Sequence, residues 1–237
     1  TADAIYKNIH IIEQWQPEYV LVLSGDHMYK MNYWELLDMH ISKKADLTVA
    51  AIEYPRKEAS QFGIIQVNDD WKIIGFEEKP KDPKPIPSKP EASLANMGIY
   101  IFSIKPMIKA LVEDAKGKTD HDFGKNVIPS MIQNGYNVYA YNFYDYKNNK
   151  PRYWRDIGKL DAYFEANMEI LHRDPEFDLY DKHWLLRTLQ EQTPPAKIIH
   201  SKNGKPSSVS ASIICGGSII EGSTIIESVI SPRVIIH

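Results

Sequence analysis

Apolar residues follow two alternating rhythms over residues 1–172 and a third beyond residue 200. Ile5, Ile9 and Ile12 share one helical face and predict a helix over about 2–15. A short apolar run predicts a buried strand at 19–24, and Trp34, Leu37 and Ile41, spaced i, i+3, i+7, predict a second helix. Leu47–Ile52 reads as a strand, and Ile64–Val67, Asn68-Asp69-Asp70 and Trp71–Phe76 read as a β-hairpin. Five prolines in 80–90 mark an irregular surface loop. Met97–Phe102 predicts another buried strand, 105–114 and 124–134 two helices, and Val138–Phe143 a strand. A helix over 159–171 carries Leu160, Tyr163, Phe164, Asn167 and Leu171 on one side. Alternating β and α units predict an α/β domain over 1–172 with a mostly parallel sheet.

Residues 173–200, with Pro175, Pro194 and Pro195, read as a connector. From 201 the period becomes six: Ile213, Ile219 and Ile225 recur, as do Ile214, Ile220 and Ile226, with Gly216, Gly222 and Ser228 two places later. A six-residue period predicts the start of a left-handed parallel β-helix over 201–237, one side of a triangular coil per repeat, with an Ile-rich hairpin as the alternative. So few coils need neighbours to be stable.

Composition narrows the function classes. The formal net charge is -3 with no basic stripe, which argues against a nucleic-acid partner. Cys215 is the only cysteine, so no disulfide can form within the chain, which suits a reducing cytoplasm. No apolar run approaches the ~20 residues that span a bilayer. The chain opens without Met on a helical pattern and ends inside an apolar one, so a fragment of a longer protein is expected.

Chemistry concentrates in a few places. Leu21–Ser24 runs into Gly25-Asp26-His27, a strand that delivers one carboxylate past its carboxyl end. Ligands of open α/β sheets bind there, and an aspartate so placed suits a hard cation beside a phosphate. The alternative is that Asp26 caps the next helix, with Asn32 and Asp38 as surface polar residues. In Glu77-Glu78-Lys79-Pro80, Lys79 suits a phosphate and Glu78 sugar hydroxyls, or the segment is a solvated charged turn. In Pro151–Gly158, Asp156 is either a helix cap or a second carboxylate for the same cation. In His121-Asp122-Phe123-Gly124-Lys125, Asp122 is either an N-cap or, with Phe123, a contact for a bound sugar. His10, His40 and His172 lack metal-ligand spacing and are assigned to the surface or helix faces.

In order, G-D-H-x-Y, F-G-I, E-K-P, M-G-I-Y-I-F, H-D-F-G-K, Y-W-R-D-I-G, P-P-A-K and the hexapeptides resemble the bacterial glucose-1-phosphate adenylyltransferases (ADP-glucose pyrophosphorylases) over all 237 residues. Each motif is weak alone; the joint order is specific. The resemblance implies a Rossmann-like nucleotidyltransferase domain followed by a β-helix. It makes Asp26 and Asp156 the Mg²⁺ ligands, with Asp26 also catalytic. It makes Lys79 the catalytic lysine on the phosphate of glucose 1-phosphate, and Glu78 its neighbour on the sugar. Asn96, Tyr100, Asp122, Phe123 and Trp154 line the glucose site; Asn96 stands where serine is often found, and its amide can still hydrogen-bond a hydroxyl.

The implied reaction transfers the adenylyl group of ATP to glucose 1-phosphate, giving ADP-glucose and pyrophosphate for glycogen synthesis. A cytoplasmic homotetramer, or a heterotetramer with a related subunit, is implied, with no membrane and no nucleic acid. The family's glycine-rich G-G-x-G-x-R-L segment, which wraps the triphosphate, is not in the sequence, so the chain by itself is expected to be inactive. The alternatives are a non-catalytic regulatory subunit of the same fold, against which Asp26, Lys79 and Asp156 argue, and a sister enzyme using another nucleoside triphosphate.

Overall fold

The computed structural model describes residues 1–237, which divide into two compact units: Thr1–Gly25 with Lys30–Arg152, and Asp26–Tyr29 with Tyr153–His237. Residues 26–29 fall in the second unit because they pair with the chain after 152.

In the first unit the expected N-terminal helix is two, α1 (Ala2–Tyr6) and α2 (Ile9–Gln14). They break where the Asn8 amide donates to the carbonyl of Ala4, an alternative to helical bonding. Strand β1 is Tyr19–Val22; β2, His27–Tyr29, belongs to the second unit. Helix α3 (Tyr33–Ser42) leads to β3 (Leu47–Pro55), then the hairpin β4 (Gly63–Val67) and β5 (Ile73–Glu78), then the long β6 (Ala92–Ser103). Helix α4 (Ile104–Ala115), a π-helical turn over Phe123–Val127, α5 (Ile128–Gln133) and β7 (Val138–Asn142) follow. A short hairpin, β8 (Tyr144–Asp145) with β9 (Lys150–Pro151), ends the unit.

The sheet order is β5-β4-β6-β3-β7, with β1 also on β6. It is not mostly parallel, as alternation of elements predicted: β3–β7 is its one parallel pairing, and β1–β6, β3–β6, β4–β5 and β4–β6 are antiparallel. Parallel neighbours need a crossover of a dozen or more residues. A tight turn joins β4 to β5 as an antiparallel hairpin, and the proline loop carries the chain from β5 past β4 to β6, which pairs antiparallel with the other edge of β4. β1 and β3 still point the same way, flanking an antiparallel β6. Opposite β3 the register of β6 slips at the Met-Gly-Ile motif: Gly98 takes φ +68, open to glycine without steric cost, and donates its N–H to Asn96 Oδ1 at 3.0 Å.

The core lies between this sheet and α4–α5, around Leu47, Val49, Phe102, Met107, Ile128 and Met131. Helix α3 corrects one expectation: its buried positions are Leu36 and His40, whereas Trp34 and Ile41 are exposed. His40 sits on the inner helix face, 1% exposed, its imidazole bonded to Thr48 Oγ1 at 2.8 Å and Ser103 Oγ at 3.0 Å. Burial lowers its pKa to about 4 from the ordinary 6.5, only partly opposed by Asp46. An unfolded His40 binds a proton below pH 6.5 and the folded one does not, so stability falls as pH drops from 6.5 towards 4. Linkage gives a loss of about 2 kcal/mol between pH 8 and pH 5. Urea denaturation at both pH values should show it, and His40→Asn should remove most of the difference; an unchanged pH dependence in that variant would refute the assignment.

In the second unit β2 pairs antiparallel with β10 (Trp154–Asp156), and α6 (Leu160–Glu169) follows. Leu160, Tyr163 and Phe164 are exposed, and Ala166 is the buried residue of α6. The β-helix strands are β11 (Lys197–Ile199), β12 (Ser208–Ser210), β13 (Ile213–Ile214), β14 (Ile219–Glu221), β15 (Thr224–Ile226), β16 (Val229–Ile230) and β17 (Ile235–Ile236). They stack in parallel as β11-β14-β17, β12-β15 and β13-β16. The β-helix thus begins inside the expected connector, at Lys197. The later coils repeat every 16 residues, because two sides of each are one residue short of six. Hydroxyls of Ser207, Ser212 and Ser218 each accept the backbone N–H 16 residues on, satisfying donors at the corners. Corner residue Gly222 has φ +58, and a Cβ there would lie 2.6 Å from Ser201 Cβ, so the position admits only glycine.

Candidate active site

The motif residues of the first unit gather at one end of β5. Glu78 is the last residue of that strand and pairs across from Gly63. Its carboxylate stands against two glycines: a Cβ on Gly124 would lie 2.7 Å from Glu78 Oε2, and one on Gly63 2.9 Å from the same oxygen. Burial raises the pKa of Glu78; Lys79 and Lys125 oppose this and Asp122 adds to it. Lys79 follows in the left-handed region at φ +48, although a proline comes next, and its backbone N–H donates to the carbonyl of Phe62. Such strain in a non-glycine residue costs about 1–3 kcal/mol and persists only where surrounding structure enforces it. The Lys79 side chain is 65% exposed, and its ammonium is 3.9 Å from Glu78 Oε1, too far for a hydrogen bond.

Asp122 makes the N-cap of the π-helical turn: its Oδ1 accepts the N–H groups of Gly124 at 2.9 Å and Lys125 at 3.0 Å. Its Oδ2 accepts the hydroxyl of Thr1 at 2.9 Å, and that hydroxyl oxygen in turn accepts the N–H of Phe123. Burial pushes the Asp122 carboxyl up, but these hydrogen bonds and the N-terminal charge outweigh it and lower the pKa. Phe123 and Tyr100 are core residues, 3% and 6% exposed, with ring centroids 5.4 Å apart. Burial pushes the Tyr100 phenol up to about 12, and its oxygen accepts the Asn96 amide at 2.9 Å. Asn96 thereby both caps the β6 bulge and fixes Tyr100. Glu78, Asn96, Tyr100, Asp122 and Phe123 form one cluster in this unit, with the two rings as its apolar backing.

The second unit holds Asp26, Trp154 and Asp156. Asp26 does not cap a helix: α3 is capped by Asn32, whose Oδ1 accepts the N–H of Trp34. The carbonyl of Asp26 accepts the N–H of Ile157, and Asp156 pairs with His27 across the β2–β10 ladder. Asp156 does not cap α6 either, whose N-cap is Lys159; its Oδ1 accepts the N–H of Gly158 at 2.8 Å in a turn before the helix. A Cβ on Gly158 would lie 3.0 Å from Asp156 Oδ1 and 3.4 Å from Asp26 Oδ2. The two oxygens are therefore no farther apart than the sum of those distances, within the ~8 Å that one hydrated cation bridges. His27 Nε2 lies 3.5 Å from Asp26 Oδ1, and the His27 ring stands edge-on to the buried Trp154 ring at 5.0 Å.

Two carboxylates flanking a space that a methyl group would fill fit a small hard cation. No group of three or more His, Cys, Asp or Glu side chains gathers to hold a metal by itself. Water and phosphate oxygens would complete a Mg²⁺ shell, as that ion prefers. Sequence reasoning missed Gly63, Gly124, Gly158 and Thr1; the first three stand inside the F-G-I, H-D-F-G-K and Y-W-R-D-I-G motifs, which were the available signal. No helix is long and apolar enough to cross a membrane.

Comparison with known proteins gives two family matches: a nucleotidyl transferase model over residues 1–173, and a GlmU-like C-terminal hexapeptide model over 194–237. Proteins called glucose-1-phosphate adenylyltransferase are similar throughout: that of Deinococcus radiodurans is 45% identical over 100% of this chain and 59% of its own length. The Thermus thermophilus protein is 44% identical over 99% of this chain and 58% of its own. Glucose-1-phosphate adenylyltransferase 1 of Alkalilimnicola ehrlichii is 45% identical over 100% and 56%. The chain thus spans less than two thirds of these relatives' lengths.

Proposed function

Since the chain belongs to the nucleotidyl transferase family, we propose that it carries the sugar-phosphate and cation-binding part of a glucose-1-phosphate adenylyltransferase. In this reading ATP and glucose 1-phosphate give ADP-glucose and pyrophosphate, in the cytoplasm, for glycogen synthesis, in a homotetramer or a heterotetramer with a related subunit. The observation that carries it is the pair of carboxylates, Asp26 and Asp156, astride Gly158, in a chain whose relatives bear that name. A phosphate oxygen of glucose 1-phosphate bonds to the α-phosphorus of ATP while the bond to the bridging oxygen breaks and pyrophosphate leaves with its electron pair. The attacking oxygen is already anionic, so no proton need move, and positioning with charge neutralisation supplies the rate. Asp26 and Asp156 hold a divalent cation, Mg²⁺ in this reading, which supplies neutralisation of the phosphate charge. Lys79 binds the sugar phosphate, Glu78 accepts sugar hydroxyls, Asp122 and Asn96 offer oxygens beside it, and Tyr100 and Phe123 back the sugar; Trp154 packs beside the carboxylate pair.

The test is equilibrium binding by calorimetry on the chain with Mg²⁺ present. Glucose 1-phosphate should bind at least about tenfold more tightly than inorganic phosphate or glucose alone, since each half makes only part of the contacts. Equal affinity for inorganic phosphate and glucose 1-phosphate would overturn the proposal.

A further inference from the structure

Glu78 ends β5 with its side chain mostly buried and its carboxylate set close against two neighbours. The cause lies in the absence of atoms on two neighbours. Gly63 and Gly124 both present bare Cα to the same oxygen, Glu78 Oε2. The two glycines differ in what else they touch. A Cβ on Gly63 would also strike the Phe76 ring at 2.6 Å, part of the packing around the core. The three atoms nearest a Cβ on Gly124 all belong to side-chain carboxylates: Glu78 Oε2 at 2.7 Å, with Asp122 Oδ1 and Glu78 Cδ at 3.4 Å. Asp122 is fixed by two backbone N–H groups and the Thr1 hydroxyl, so Glu78 is the group that must yield. Gly124 lies in a helical turn outside the left-handed region, where alanine is accommodated better than glycine. Nothing in the backbone therefore demands glycine there.

We infer that Gly124 is a positioning residue for Glu78: its missing side chain leaves the slot that seats the carboxylate beside Lys79. This rests on the reading of Glu78 as the acceptor for sugar hydroxyls. Gly124→Ala drives the carboxylate out of the slot while leaving the turn intact, so ligand affinity and fold stability separate.

The experiment measures glucose 1-phosphate binding by calorimetry and thermal unfolding on the chain and four variants: Gly124→Ala, Glu78→Gln, Glu78→Asp and Gly124→Ala with Glu78→Asp. Gly124→Ala should bind about tenfold or more weakly, the loss of a hydrogen bond to a charged group, with a Tm no lower than that of the parent chain. Aspartate retracts the carboxylate by one methylene and frees the slot, so the double variant should bind no more weakly than Glu78→Asp alone. The inference fails if Glu78→Gln weakens binding but Gly124→Ala does not, or if the double variant shows the two losses added. Glu78→Gln binding as well as the parent chain overturns the underlying reading of Glu78 itself.

Discussion

Lys79→Ala should weaken glucose 1-phosphate binding by roughly 30- to 1000-fold, about 2–4 kcal/mol for one charge-assisted phosphate contact. Three features make the effect large. The side chain is 65% exposed and its ammonium 3.9 Å from Glu78 Oε1, so little internal pairing must be broken before it meets a ligand. Its backbone sits at φ +48, an arrangement the fold enforces through the Lys79 N–H bond to Phe62. Alanine and lysine share a Cβ and the same backbone cost at that φ, so the substitution removes the charge without changing the strain. Lys79→Arg retains the charge but exchanges a compact ammonium for a planar fork and should fall between. Calorimetric titration on both variants, with circular dichroism to verify the fold, reads the effect. If Glu77–Pro80 is merely a solvated turn, Lys79→Ala will bind glucose 1-phosphate with unchanged affinity, and the phosphate role is lost.

The order of elements was legible because periodicity reports which face is apolar, and it located β3, β4, β5, β6 and α4 to within a few residues apart from the early start of β6. Strand direction was not legible in the same way. Period and composition say nothing about strand direction; β6 runs antiparallel to all three strands it pairs with, β1, β3 and β4, and that pairing is nonlocal. The burial of His40 escaped notice because a hydrophobic stripe does not register a polar side chain whose bonds to Thr48 and Ser103 are nonlocal. Alternatives for single aspartates resolved unequally. Asp122 is an N-cap, so its capping geometry and any sugar contact draw on the same carboxylate. Asp26 and Asp156 cap no helix, and one oxygen of each lies within 3.4 Å of where a Cβ on Gly158 would stand. The three glycines could not be read from the sequence as seats for carboxylates, since their function is what their missing Cβ would strike.

Asp26→Asn and Asp156→Asn should each lower the affinity of the chain for Mn²⁺, a paramagnetic stand-in for Mg²⁺, by about 100-fold, and the double variant should bind it by less than a thousandth of the original. An amide in place of either carboxylate removes half of the protein's ligands to the cation. With saturating Mn²⁺ the parent chain should therefore gain several degrees of thermal stability that the variants do not. Neither residue caps a helix, so loss of a cap cannot mimic this pattern. Gly158→Ala supplies an independent control, because its Cβ would stand 3.0 Å from Asp156 Oδ1 and 3.4 Å from Asp26 Oδ2, in the space the cation needs. It should also lose Mn²⁺ affinity although both carboxylates remain. Electron paramagnetic resonance titration of free Mn²⁺ measures each constant directly, and full affinity in both single aspartate variants would show that the pair does not hold the ion.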